Sequence, residues 1–266
     1  VHRPPLDAQR LRRAVAESPD LSFFTRIDVV ESTGSTNADL IRHAGDPDSD
    51  RRVLIAEAQQ RGRGRHDRPW VSPPRAQLSM SILVRPRGIE PGALGWLPLL
   101  TGVAVVDGVR AATGLDANLK WPNDVLIDGR KVAGILAEVA AGGEAPAVVI
   151  GVGLNVSLTA DELPVPHATS LALAGAPELD RTELALALLR EFARYFTAWS
   201  AAGWDVTRLA EEYRKRCGTI GSEVRAELPG GEVLTGIAED VDAHGRLRIG
   251  GRSVTAGDVT HLRAGY

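Results

Sequence analysis

Cysteine is nearly missing from this chain: 266 residues contain one, Cys217. A lone thiol excludes an intrachain disulfide, and no CxxC pair exists for redox or zinc chemistry, which fits a reducing cytoplasm. A GxxxxGK[ST] loop is missing as well, so any nucleotide is held by something other than a P-loop. The opening residues, VHRPPLDAQRLRRAV, hold no apolar stretch of the signal-peptide kind. The longest apolar run, residues 95–109, is cut by Pro98 and carries Asp107; it is too short to cross a bilayer and predicts a buried helix. There is no excess of positive charge. A net charge of −3 argues against coating of nucleic acid and against attraction to a membrane surface. No repeat or low-complexity segment is present. These absences leave a soluble, cytoplasmic chain, long enough for one sizeable core and a smaller satellite domain.

Periodicity supplies the elements. Apolar spacing predicts helices over 7–17, from about 36, over 94–113, over 181–199 and over 205–216. In the fourth of these, Leu184, Leu188, Phe192 and Tyr195 share a face. Strands are predicted over 52–59, over 77–86 as a half-buried strand, and over 146–157. Residues 118–140 read as two strands around an Asp-Gly turn at 128–129. Residues 158–178, rich in Pro, Ala and Asp, have no period and read as a loop or lid. Beyond about 219 the pattern changes to short strands separated by PGG and DAHG turns, which predicts a small all-β barrel. The expected domains are 1–217 and 218–266.

One stretch departs from the mildly acidic whole. QQRGRGRHDRPW, residues 59–70, sets Arg61, Arg63, Arg65 and Arg68 against a single acid, Asp67. Glycines let backbone N–H groups approach an anion closely, and guanidinium groups grip phosphate or carboxylate oxygens in a forked geometry. The bland alternative is a solvated basic turn. Against it, the loop leaves an apolar strand directly and its exit is tethered by Pro69 and Trp70. Mutual repulsion predicts a loop that is mobile when empty and ordered when filled. Without interleaved aromatics or a helix or zinc module, a small phosphorylated ligand fits better than nucleic acid.

Four further motifs are each ambiguous alone. KWPNDV, 120–125, is an Asn-Asp turn beside a packed tryptophan, or a proline-broken edge whose Asn123 and Asp124 offer hard oxygens to a magnesium ion or a ribose hydroxyl. DGRKVAGIL, 128–136, presents Lys131 after a tight turn, ordinarily solvated, with Gly134 marking close approach of a ligand to backbone. GVGLN, 151–155, is not a dinucleotide fingerprint, because Val156 stands where glycine is required. It reads instead as a glycine-lined strand that gives room to a planar ligand, with Asn155 pointing an oxygen at metal or phosphate. GSTN, 34–37, is a plain helix cap or a set of polar groups that reads the edge of a heterocycle.

Together, STN 35–37, GRGRHDRPW 62–70, KWPND 120–124, GRKVAGILAE 129–138 and GVGLN 151–155 resemble the biotin protein ligases, in order and over nearly the whole chain. That resemblance implies an α+β fold: a class II aminoacyl-tRNA-synthetase-like mixed sheet with flanking helices, plus a small C-terminal SH3-like β-barrel. It implies that biotin and ATP form biotinyl-5′-AMP with Mg²⁺, and that a lysine of a biotin carboxyl carrier protein domain then takes the biotin. By similarity Ser35, Thr36, Asn37 and Gln59 contact the biotin ureido group and its neighbours. Arg63, Gly64 and Arg65 lie on the carboxylate and later the acyl-phosphate, with Lys131 beside carboxylate and α-phosphate and Gly134 in the biotin site. Arg65 and Lys131 are the catalytic candidates. Arg63, Arg65, Arg68, Trp70, Lys120, Asn123, Asp124 and Asn155 form the ATP and adenylate side, with Asp124 and Asn155 as metal candidates.

The resemblance is incomplete in places. Only about thirty residues precede STGSTN, so a ligase without the winged-helix operator-binding domain of repressor-type members is expected, with no DNA partner. The stretch 157–171, expected to cover the adenine, holds prolines and no tryptophan, and His66 and Asp67 replace more usual basic or glycine residues. Two other readings stand beside the ligase: a lipoate ligase on the same catalytic fold, and a biotin-responsive regulatory protein without transfer activity. The presence of both Arg65 and Lys131 disfavours the latter. Oligomeric state is left open.

Overall fold

The computed structural model describes residues 2–140, 146–177, 180–228, 230–255 and 257–262. Glu178 of the expected lid, Pro229 of the PGG turn and Ala256 within the last expected strand lie outside them. The larger layer is a seven-stranded sheet with the order β1 (Arg26–Val30), β2 (Arg52–Ala56), β3 (Gln77–Val84), β7 (Ala147–Asn155), β6 (Arg130–Ala140), β5 (Asp124–Ile127) and β4 (Ala117–Lys120). Only β1 and β2 pair in parallel; the remaining pairs are antiparallel, so the sheet is mixed.

One face of the sheet carries the core. Met80, Ile82, Ile135, Ile150 and Val152 point to it, and α3 (Trp96–Thr113) and α4 (Arg181–Ala201) cover it. The helices approach closely at Gly108, where an added Cβ would lie 3.1 Å from the Leu188 Cα. α3 is the apolar helix expected over 94–113, and twelve of its side chains or glycines are buried. Its one acid, Asp107, is not stranded: Arg216 donates to both carboxylate oxygens at 2.7 and 2.9 Å, and the Tyr195 hydroxyl donates at 2.7 Å. Burial, followed by that bond to Asp107, pushes the Tyr195 phenol up to about 12. The predicted face of α4, Leu184, Leu188, Phe192 and Tyr195, is buried throughout.

Three local expectations change. β3 is buried along its whole length rather than half-buried, because α2 (Thr36–Arg42) covers its serine face. Residues 118–140 form three strands, not two. The KWPND segment makes a turn that pairs Lys120 with Asp124 at the sheet edge, and Asp128 and Gly129 (φ 50° and 72°) make the expected Asp-Gly hairpin. β1 was not foreseen. After α5 (Thr207–Arg214) comes an antiparallel five-stranded sheet. β8 (Glu223–Glu227), β9 (Val233–Val241), β10 (Leu247–Ile249) and β11 (Arg252–Val254) form a meander, and β12 (Asp258–His261) returns beside β8. This unit docks on the start of α3 and on the KWPND turn: Trp96 Nε1 donates to Ala243 O and Trp121 Nε1 to Gly245 O, both at 3.0 Å.

The extended segment before α1 (Ala8–Glu17) crosses to the 157–162 stretch. Arg3 donates to Ser157 O (2.9 Å), to Ser157 Oγ (3.1 Å) and to both Glu162 carboxylate oxygens. The Arg3 hydrogen bond, then the Thr159 N–H, hold the Glu162 carboxyl down at about 2. Because the folded value lies below the ordinary 4.5, this contribution to stability is complete above about 4.5 and is lost as pH falls toward 2. In Arg3→Ala the Glu162 carboxyl should titrate nearer 4.5 by NMR, and the acid-unfolding midpoint should move to higher pH.

Candidate active site

Behind the core face, the other face of the same sheet is polar and nearly bare of side chains. Register explains it. Ser79 and Ser81 on β3 pair with Gly153 and Gly151 on β7, and these pair with Gly134 and Leu136 on β6. All point away from α3 and α4, because alternate residues of a strand share a face. Three glycines thus form a bare strip. Over it lies a cleft of about 850 Å³.

At one end of the strip the polar groups satisfy each other. Ser35 caps α2, which carries Thr36 and Asn37 in its first turn. Gln59 Oε1 accepts from Thr36 N at 2.9 Å. Ser81 Oγ bridges Thr36 Oγ1 (2.7 Å) and Asn37 Oδ1 (2.6 Å), while Asn37 Nδ2 donates to Glu138 at 2.7 Å. Gly151 is required here, since an added Cβ would lie 2.4 Å from Asn37 Oδ1.

The opposite end carries charge. A bulge shifts the β5–β6 register so that Val132 has no partner, with Lys131 opposite Leu126 and Gly134 opposite Asp124. Without the extra residue Lys131 would face the core; with it, Lys131 shares the cleft face with Gly134. Lys131 Nζ pairs with Asp124 at 2.6 Å. Its backbone is sewn to the 157–171 stretch: Lys131 N donates to His167 O, and Thr169 N donates to Lys131 O, each at 2.8 Å. Asn123 donates to Ile135 O at 2.9 Å and presents its oxygen to Arg65 at 3.4 Å.

The arginine loop closes the cleft as a hairpin: Gly64 N donates to Arg68 O (2.7 Å) and Trp70 N to Gly62 O (2.8 Å). Its expected self-repulsion is met by the protein's own acids. Arg63 lies 3.6 Å from Asp67 and 3.8 Å from Glu138, and Arg68 pairs with Asp258. Burial lowers the pKa of Arg65, and the charges of Asp258 and Asp124 act in the opposite direction.

Every candidate named from the sequence lines this one cleft: Ser35, Thr36, Asn37, Gln59, Arg63, Gly64, Arg65, Arg68, Trp70, Lys120, Asn123, Asp124, Lys131, Gly134 and Asn155. Two of them sit in unexpected company. The Trp70 indole lies on the glycine strip, where a Cβ at Gly153 would be 2.3 Å from Trp70 Nε1, and that buried Nε1 has no hydrogen-bond partner among the described residues. Asn155 is buried with both ends of its amide engaged, accepting one bond from Gln77 (2.7 Å) and donating to Thr169 O (2.8 Å). Among the described residues no group of three His, Cys, Asp or Glu is placed to hold a metal ion. Sequence reasoning missed Ser81 and Glu138, which lie outside the recognised motifs or at their edge, and the wall supplied by β8 and β12, including Glu227 and Asp258.

The profile of the biotin/lipoate A/B protein ligase family matches residues 27–155, and that of the biotin protein ligase C-terminal domain matches 219–262. A biotin–[acetyl-CoA-carboxylase] ligase of Mycobacterium tuberculosis is 49% identical over 269 residues, covering 98% of this chain and 97% of the relative. The chain belongs to this ligase family. A ligase of the same name from Paracoccus denitrificans is 34% identical, covering 82% of this chain and 92% of its own. Among solved structures, the Aquifex aeolicus biotin protein ligase in complex with biotin and ATP superposes with a TM-score of 0.75 at 25% identity, covering 91% of this chain and all of that one.

The site's dependence on bare backbone can be measured directly. Gly151→Ala should force the Asn37 amide off Ser81 and lower unfolding stability in urea by about 1–3 kcal/mol, the usual cost of overpacking. An unchanged midpoint would show that the amide yields freely.

Proposed function

We propose that this chain attaches biotin to a lysine of a carboxylase's biotin carrier domain, in two steps that use ATP. The observation that carries this reading is the cleft itself: a glycine-floored slot with neutral polar groups at one end, and Arg65, Lys131 and Asp124 at the other. A planar, uncharged ureido ring fits the first end. A carboxylate to be joined to a phosphate fits the second. The relatives' names and the biotin and ATP in the Aquifex complex support the same assignment.

In the first step a carboxylate oxygen attacks the α-phosphorus of ATP, the bond to the β-phosphate oxygen breaks, and pyrophosphate leaves. Two anions must meet, which solvent alone opposes. Arg65 and Lys131 neutralise the carboxylate and the charge that grows on the phosphoryl oxygens, in a partly desolvated cleft where such charges act strongly. Asp124 keeps the ammonium in place, and the ammonium's remaining donors are left for the incoming anion. In the second step a carrier lysine attacks the acyl carbon and AMP departs. The arginine loop keeps water from the mixed anhydride meanwhile.

Mg²⁺, when bound, supplies further charge to the phosphates. Asp124 is the carboxylate that would hold it, which suits an ion that takes one or two carboxylates and completes its shell from phosphate and water. Asn155, held in orientation by Gln77 and Thr169, would be the second oxygen ligand. A ring seated on Gly153 also requires the Trp70 indole to withdraw. Biotin should therefore change tryptophan emission, and Trp70→Phe should abolish that change.

Pyrophosphate exchange with ATP tests the reading: biotin should support it and lipoate should not, and a carrier domain should gain the mass of one biotin. Exchange with lipoate alone would assign a lipoate ligase; an unmodified carrier would leave only a binding protein. Lys131→Ala should lower the exchange rate on the order of 10²–10³-fold, more than it weakens biotin binding. Arg65→Ala should release the adenylate early and label bystander lysines.

A further inference from the structure

We propose that Asp258, at the start of β12, is a positioning residue that latches the arginine loop shut across the cleft, making the C-terminal sheet part of the active site's closing machinery. This rests on the ligase reading for its effect on the reaction, and on geometry alone for its effect on the loop.

The loop's tip is a tight hairpin turn: His66 and Asp67 both hold φ at 55°, a left-handed conformation that Asp and His adopt more readily than most residues with a Cβ. Within the turn, Arg68 N donates to Arg65 O at 3.2 Å and Gly64 N to Arg68 O at 2.7 Å. On either side of these two residues, the Arg65 and Arg68 guanidinium groups face the same way. What they face is β12: Arg68 pairs with Asp258, and Arg65 reaches Gly257 O at 3.5 Å. Asp258 is in turn held by strand pairing opposite Glu227 of β8, so the carboxylate is fixed to an element separate from the loop. The loop and its anchor are about 190 residues apart in sequence.

The latch is also built to yield. The Arg68 and Asp258 side chains are 65% and 41% exposed, and exposed ion pairs are weak. Arg65 is the reverse case: it is more buried, and its two hydrogen-bond contacts, at 3.4 and 3.5 Å, are long. Its donors are thus aimed into the cleft with their capacity hardly used. An arriving phosphate gives Arg65 short bonds while Arg68 stays on Asp258, so the same pair holds the loop over the bound adenylate.

Trypsin reads the loop directly in the full chain without any ligand, cutting after Arg61, Arg63 and Arg65; Pro69 protects the bond after Arg68 in every variant. Asp258→Ala and Asp258→Asn should each raise cleavage by about two- to five-fold, the range expected from losing an exposed pair, with melting temperature unchanged. Arg68→Ala should match them, the double variant should be no worse than either single one, and the swap Arg68→Asp with Asp258→Arg should restore protection. Retention of biotinyl-5′-AMP on the enzyme should shorten in the same order. Unchanged cleavage in both Asp258 variants, or additive effects in the double variant, would overturn the latch. Should the wild-type protein form no adenylate, the ligase reading fails while the cleavage result still decides the latch.

Discussion

Positive charge has to be stored in this cleft before there is an anion to receive it. Arg65 and Lys131 are both drawn partly out of water, and a desolvated cation without a counter-charge is costly. The structure meets that cost with acids taken from separate places: Asp124 from the next strand, Asp258 from the far sheet, and Glu138 and Asp67 against Arg63. Each of these pairs keeps a cation in position ahead of an incoming anion.

The sheet supports the arrangement by having two unlike faces. Core side chains of β3, β6 and β7 anchor it to α3 and α4, so the glycine strip on the other side needs no packing of its own. Bare backbone is usually a weakness in a strand. Here seven paired strands and a full helical layer hold it flat enough to act as a floor. Asn37 and Trp70 fill the two parts of the strip, Asn37 as a fixed reader of polarity and Trp70 as a side chain that must give way.

The C-terminal sheet connects to the rest at two levels. Trp96 and Trp121 give it fixed contacts with α3 and with the turn that delivers Asn123 and Asp124. Asp258 and Gly257 give it weaker contacts with the arginine loop. A rigid base with a breakable contact is what a closing element requires, because the closed state must be favoured without being permanent.

Much of the site could be read in the chain because its chemistry sits in short segments: the arginine loop, KWPND, the Asp-Gly turn with Lys131, and the GVGLN strand all carry their residue types locally. The buried apolar helix and the Asp-Gly hairpin were legible for the same reason, since periodicity and turn geometry act over a few residues. Pairing between distant strands left no such trace. Nothing in the composition of 130–134 marks Val132 as the bulge that turns Lys131 to the cleft, β1 is too short and too polar to stand out, and the serine face of β3 looks solvent-exposed until α2 covers it. That Asn155 spends its amide on Gln77 and Thr169, and that Asp258 meets Arg68, depends on the chain returning to the same place after long excursions. Sequence alone determined which groups were available to handle an anion, because side-chain chemistry is local; tertiary structure decided which of them are free to do so, because the competing partners come from elsewhere in the fold.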